Sequence, residues 1–212
     1  MFCLNKSISW RIPVMKSGFS GVWMTVVLTL VSHAATRASL RAAFPADDAL
    51  LDGTVAVSAQ PAWRSRQSIC SPRAACVQMA QRFGLMARVE NDLRDLDHGR
   101  WAGLEIAAIA QSAPEALQRW VNDPAFADHG GESRDQLTLR MAAWLDRVAE
   151  GGDHVVAITH AAVIRSVVCG VLGTPSTAFW SIDIAPGTVT QLRHDGRRWA
   201  LRLLGCAMPP KD

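Results

Sequence analysis

A chain of 212 residues, 49% of them hydrophobic, carries enough apolar side chain for one sizeable core, and one domain is its simplest organisation. The net charge is +3 with no Lys/Arg block, which suits a small anionic substrate and gives no nucleic-acid-binding stripe. Cys3, Cys70, Cys76, Cys169 and Cys206 are odd in number and lack the CxxC pairs of a metal site, so they read as packed thiols in a reducing compartment.

The first apolar segment, "GVWMTVVLTLV", has two readings. With Lys6, Arg11 and Lys16 upstream and the small residues of "SHAAT" after it, it fits the core of a secretory signal. A buried strand over Met24 to Val31 would look much the same. No second apolar run approaches the ~20 residues of a membrane span, so the strand reading makes the protein soluble, with no membrane partner.

Residues 35 to 61 form a long polar connection with short helical turns. "SICSP" predicts a short strand, with Ser71 as N-cap and Pro72 as the first residue of a helix that runs to Phe83 and stops at Gly84. Leu85 to Val89 is a further strand, followed by polar "ENDLRDLDHGRWAG". Helices are expected over Leu104 to Gln111 and Pro114 to Val121. In "GGESRDQ", Ser133 and Gln136 form a capping box. Leu137, Met141, Trp144, Leu145 and Val148 then make one apolar stripe, ended by Gly151 and Gly152. "HVVAIT" is a buried strand and Ala162 to Leu172 a helix. "VTQLRHDGRRWALRLL" predicts two strands joined at Asp195-Gly196. This alternation predicts an α/β fold, a three-layer sandwich with a mostly parallel central sheet flanked by helices.

A short echo points to the site. "LTLVSHAAT" and "VVAITHAAV" both run apolar residues into Ser or Thr, then His, then Ala-Ala. If both are central parallel strands, His33 and His160 emerge at the carboxyl edge, where open α/β sheets place their ligands. Each also precedes a loop or helix start, where free N–H groups favour an anion. A lone histidine is more often a hydrogen-bonded core residue; two in matched contexts reverse that preference.

These segments resemble the histidine phosphatase superfamily, with its phosphoglycerate mutase-like fold. "LVSHAAT" stands where that family has Leu-Val-Arg-His-Gly-Glu-Thr, and "SPRAACVQMA" resembles its Ser-Pro-x-x-Arg-Ala-x-Gln-Thr-Ala helix. "LRDLDHGRWAGL" resembles Leu-x-Glu-x-x-x-Gly-x-Trp-Glu-Gly-Leu, "GGES" is intact, and "VVAITHAAVIRSVVCGVLG" matches the second-histidine strand and helix. The resemblance runs from Thr25 to Gly205 in the family's order. It makes "VVLTLV" the first core strand and divides the chain into an extension at 1–23, a domain at 24–206 and a tail at 207–212. It also implies a cytoplasmic enzyme.

The resemblance implies that His33 attacks phosphorus and becomes a phosphohistidine. Asp95, where the family has Glu, protonates the departing oxygen, and His160 stabilises charge on the phosphoryl oxygens. By composition alone Asp92 and Asp97 are as eligible as Asp95. Ser32, Thr36, Glu132 and Ala161 fall at positions around the phosphoryl group. No metal or cofactor is needed, and the implied partner is a small phosphorylated metabolite.

The departures matter as much. Ser32 and Ala75 occupy the positions of the family's two pocket arginines, whose planar forks bind phosphate bidentately. Ala34 and Ala161 replace the glycines after each histidine, which restricts the backbone if those positions need positive φ. Arg37 is the preferred substitute cation. Arg73 lies two residues before Ala75, about 200° round a regular helix, and faces away unless the helix start is irregular. Arg165 points to another helix face. Trp101, Trp120 and Trp180 could line the site, although tryptophans at such spacing are more often core. Two functions therefore compete: a phosphatase of weakened activity on a small phosphomonoester, or a decayed relative that binds an anion or partner without turnover. With no long insertion to retain a bisphosphate, a mutase is the weaker expectation.

Overall fold

The computed structural model describes residues 25–53, 61–64 and 66–208; the predicted extension at 1–23, the start at Met24, Cys3 and the end of the tail lie outside the described residues. The run that resembles a signal core is β1 (Val26–Ser32), hydrogen-bonded on both edges. Leu28 and Leu30 pack into one face of the sheet and Val31 into the other. A strand covered on both faces reads as a continuous apolar run, which is why it mimics a signal segment.

The other strands are β2 (Gln67–Cys70), β3 (Arg88–Val89), β4 (Val155–Thr159), β5 (Thr188–His194) and β6 (Trp199–Ala207), in the order β3-β2-β4-β1-β5-β6. The first four positions in that order are parallel; β5 and β6 add an antiparallel hairpin, so the sheet is mixed. The hairpin loop spans Asp195 to Arg198, longer than a two-residue turn, with Asp195 Oδ1 accepting from the N–H groups of Arg197 and Arg198.

The helices are α1 (Arg37–Leu40), α2 (Ala74–Arg82), α3 (Ile106–Ser112), α4 (Pro114–Asn122), α5 (Arg134–Gly151) and α6 (Ala161–Leu172). α5 and α6 cover one face of the sheet and α2 the other, giving the three layers. In α5 the capping box is present: Ser133 Oγ accepts from the Gln136 N–H at 3.1 Å, and Gln136 Oε1 accepts from the Ser133 N–H at 2.8 Å. Leu137, Met141, Trp144 and Leu145 are fully buried, each aliphatic one contributing about 1.5–3 kcal/mol. Gly151 is the last helical residue, and Gly152, at φ 71°, makes the left-handed exit.

Two local expectations are corrected. Ser71 and Pro72 do not open α2: Arg73 is the N-cap with extended backbone, and the N–H of Ala74 is met by Asp47 Oδ1 at 2.8 Å, a cap from a distant loop. Leu85 is not a strand residue. The N–H groups of Gly84 and Leu85 bond to the carbonyls of Gln81 and Ala80, a Schellman ending that buries Leu85 under the helix. Only Arg88–Val89 pairs with the sheet. Among the described residues, no helix is long and apolar enough to cross a membrane.

Candidate active site

β1 and β4 are parallel neighbours, with Ser32 opposite Thr159, so the residues that follow them leave the sheet at one edge. His33 continues the ladder, its N–H donating to the Thr159 carbonyl at 3.0 Å, and His160 is the N-cap of α6. Their ring centroids are 5.0 Å apart at 70°, both on the wall of one cavity of about 300 Å³.

Each ring's protonation pattern follows from its partners. His33 Nδ1 lies 2.7 Å from the Ala34 carbonyl, which can only accept, so Nδ1 carries the proton and a neutral ring keeps its lone pair on Nε2. His160 is 4% exposed, and its Nε2 lies 2.8 Å from the hydroxyl of fully buried Ser71. That hydroxyl also accepts from the Arg73 N–H at 3.3 Å, and Cys76 Sγ lies 3.6 Å from the same Nε2; the Asp95 carboxylate facing Nδ1 can only accept, which favours the proton on Nδ1 with Ser71 donating to Nε2. The His160 proton is then on Nδ1, 3.4 Å from Asp95 Oδ2 but off the angle of a hydrogen bond, and without another partner. Burial lowers the His160 pKa to about 4; Asp95 opposes this, while His33 and Arg73 add to it.

The structure separates the three acids of "ENDLRDLD". Asp92 is ion-paired with Arg147, and Asp97 Oδ1 accepts from the Gly99 N–H. Asp95 alone of the three lines the cavity, 6% exposed. Its segment is pinned from two sides: Thr159 Oγ1 donates to the Leu93 carbonyl at 2.8 Å and Arg140 to the Arg94 carbonyl at 3.1 Å.

The other expected site residues divide. Ser32, Thr36, Arg73, Ala75 and Ala161 line the cavity. Arg37 does not: it is exposed on α1, outside the lining. Glu132 does not either, because its carboxylate is held by partly buried Arg140 in a bidentate pair at 2.6 and 2.8 Å. Arg73 reaches the cavity because it caps α2 instead of turning within it. Arg165 also lines the cavity, its Nε donating to the Ile182 carbonyl at 2.7 Å. Helical spacing misplaced Arg165 because His160, as a cap, does not share the helix's angular frame. Burial lowers the Arg165 pKa, partly offset by Asp183 and Asp95. Ser71, which the sequence reads as a helix cap, instead meets His160 across the sheet edge. Neither Ala34 nor Ala161 has positive φ, so alanine fits both positions without strain. Trp120 and Trp180 line the cavity, whereas Trp101 is buried with Phe44, Ile109 and Phe126. Among the described residues no cluster of three or more His, Cys, Asp or Glu could hold a metal ion.

Residues 56–207 match the model of the histidine phosphatase superfamily (branch 1), a span that contains Asp95 and His160 and begins after His33. The chain is 32% identical over 134 residues to glucosyl-3-phosphoglycerate phosphatase of Mycobacterium tuberculosis, covering 58% of this chain and 59% of that protein. It is 26% identical over 125 residues to phosphoserine phosphatase 1 of Hydrogenobacter thermophilus, again 58% and 59%. The chain thus spans less than two-thirds of the length of these curated relatives. In fold it resembles a phosphoserine phosphatase of Entamoeba histolytica solved with phosphoserine, at a TM-score of 0.76 and 16% identity, covering 85% of this chain and 96% of that one.

Proposed function

The chain belongs to the histidine phosphatase superfamily, and from that premise we propose that it is a phosphatase hydrolysing a small phosphomonoester through a phosphohistidine at His33. The observation that carries the reading is the convergence of His33, His160 and Asp95 on one cavity, with the His33 Nδ1 proton tied to the Ala34 carbonyl and Nε2 left as nucleophile. Nε2 bonds to phosphorus as the bond to the ester oxygen breaks, and a protonated Asp95 passes its proton to that oxygen. Water then attacks phosphorus, giving its proton to the Asp95 carboxylate as the P–Nε2 bond breaks. The Nδ1–H of His160 donates to a phosphoryl oxygen, and the start of α6 at His160 favours the same anion. Arg73 and Arg165 supply cations to the cavity that Ser32 and Ala75 do not. The free, buried thiols of Cys70, Cys76 and Cys169 suit a reducing, cytoplasmic setting.

The second reading, binding without turnover, rests on Ser32 and Ala75: one neutral hydroxyl and one methyl stand where a relative carries two guanidinium groups. Loss of one preorganised donor costs about 10²–10³ in rate, so weak turnover is expected. The wild type, His33→Ala and Ser32→Arg are assayed with one aryl phosphate, and acid-stable and acid-labile phosphoprotein are compared after quenching. Weak wild-type turnover with an acid-labile phosphoenzyme, both absent in His33→Ala, supports the phosphatase. Background rates in the wild type and His33→Ala, with turnover only in Ser32→Arg, support the binding protein.

A further inference from the structure

The cavity extends beyond the histidines to a wall of Phe44, Ile106, Trp120, Phe179 and Trp180. This wall is held rigid. Trp180 donates its indole N–H to the Val121 carbonyl at 3.1 Å, and the guanidinium of buried Arg134 lies 5.4 Å from its ring centre. Trp180 and Trp120 have centroids 4.7 Å apart, and Trp120 meets Phe44 edge-on at 5.1 Å. Trp180 is nevertheless 37% exposed, so it presents a fixed apolar face that the core does not use. Of the polar groups beside it, Ser39 bonds Thr36 and Asp48 accepts from the Ala46 N–H, while Arg165, bonded through Nε to Ile182, lies over the Phe179 and Trp180 rings and His98 packs on Phe44 and Trp120 with its buried Nδ1 unpartnered. A flat ring placed here would gain contact on an aromatic surface that is already ordered.

We propose that this wall is the leaving-group subsite and that it selects phosphomonoesters whose alcohol carries a planar aromatic ring. The inference rests on the phosphatase reading for the position of the phosphoryl group, and it adds the chemical class of the rest of the substrate.

Aryl phosphates have good leaving groups whatever the pocket, so the test uses phosphonates that do not react. Binding of inorganic phosphate, methylphosphonate and benzylphosphonate to the full chain is measured by calorimetry. Benzylphosphonate is expected to bind at least about tenfold tighter than methylphosphonate, from burial of one ring. That ratio falls towards one in Trp180→Ala and is retained in Trp180→Phe. Phosphate binding with no preference between the two phosphonates overturns the aromatic subsite alone. A protein that binds neither phosphate nor either phosphonate overturns the phosphatase reading and the subsite together. The comparison in the wild type stands even if Trp180→Ala does not fold.

Discussion

Acidification should unfold this protein in part through His160. Its imidazole is buried against Ser71 and kept neutral, with a pKa of about 4 against an ordinary 6.5. Because the folded value is the lower one, the unfolded chain binds this proton first as pH falls. The stabilisation is therefore complete above about pH 6.5 and is lost progressively down to about pH 4. At about 1.4 kcal/mol per pH unit, the gap amounts to about 3 kcal/mol, a large share of a small domain's 5–15 kcal/mol. His98 and His129, also lowered by burial, shift in the same direction. Their share is separated by comparing urea unfolding of the wild type and His160→Gln from pH 7.5 to 4.5. Carboxylates and histidines away from His160, unlike its neighbours Asp95 and His33, affect both proteins alike. The stability difference between the two should fall by about 2.5 kcal/mol across that range, most of the full gap. A difference that stays constant with pH would show that burial does not hold His160 neutral, and the tautomer assigned through Ser71 would lose its support.

Ser71→Ala leaves the buried His160 Nε2 with only the weak Cys76 thiol at 3.6 Å and should cost about 1–3 kcal/mol in urea unfolding. It should also weaken phosphate binding in calorimetry, because the proton is no longer fixed on Nδ1; a stability loss with phosphate affinity intact would reduce Ser71 to packing. Arg73→Ala and Arg165→Ala should each weaken phosphate binding several-fold, roughly 1 kcal/mol, whereas Arg37→Ala, outside the cavity, should not. Equal effects in all three would point to net charge alone. Gly131→Ala should destabilise by more than about 2 kcal/mol, since its Cβ would meet the Asp97 carbonyl and lie 2.6 Å from the Gly99 nitrogen. Gly151→Ala, with nothing near its Cβ at the end of α5, should be neutral or stabilising by up to about 1 kcal/mol, read by the same urea unfolding.

The elements legible in the sequence are those whose causes are local. The α5 stripe, its Ser133–Gln136 box and the Gly152 exit depend on residues within one or two turns, so spacing alone defines the helix. β1 and β4 were legible as apolar runs, and their His-Ala-Ala echo set both histidines at one edge before any neighbour was known. Where the sequence misled, the deciding partner was distant in the chain. Asp47 caps α2, which moves the helix start past Pro72 and turns Arg73 to the cavity; Ser71, freed from capping, binds a histidine 89 residues away. By composition alone Asp95 is no different from Asp92 and Asp97, and only the family pattern picks it out; in the fold Arg147 and the Gly99 backbone engage the other two. Glu132 was drawn from the site by Arg140, and Arg165 was brought into it by a cap residue that does not follow helical angles. Local hydrogen bonds and apolar periodicity are written in neighbouring residues. Which charge finds which partner is decided only when the sheet brings β1, β2 and β4 side by side.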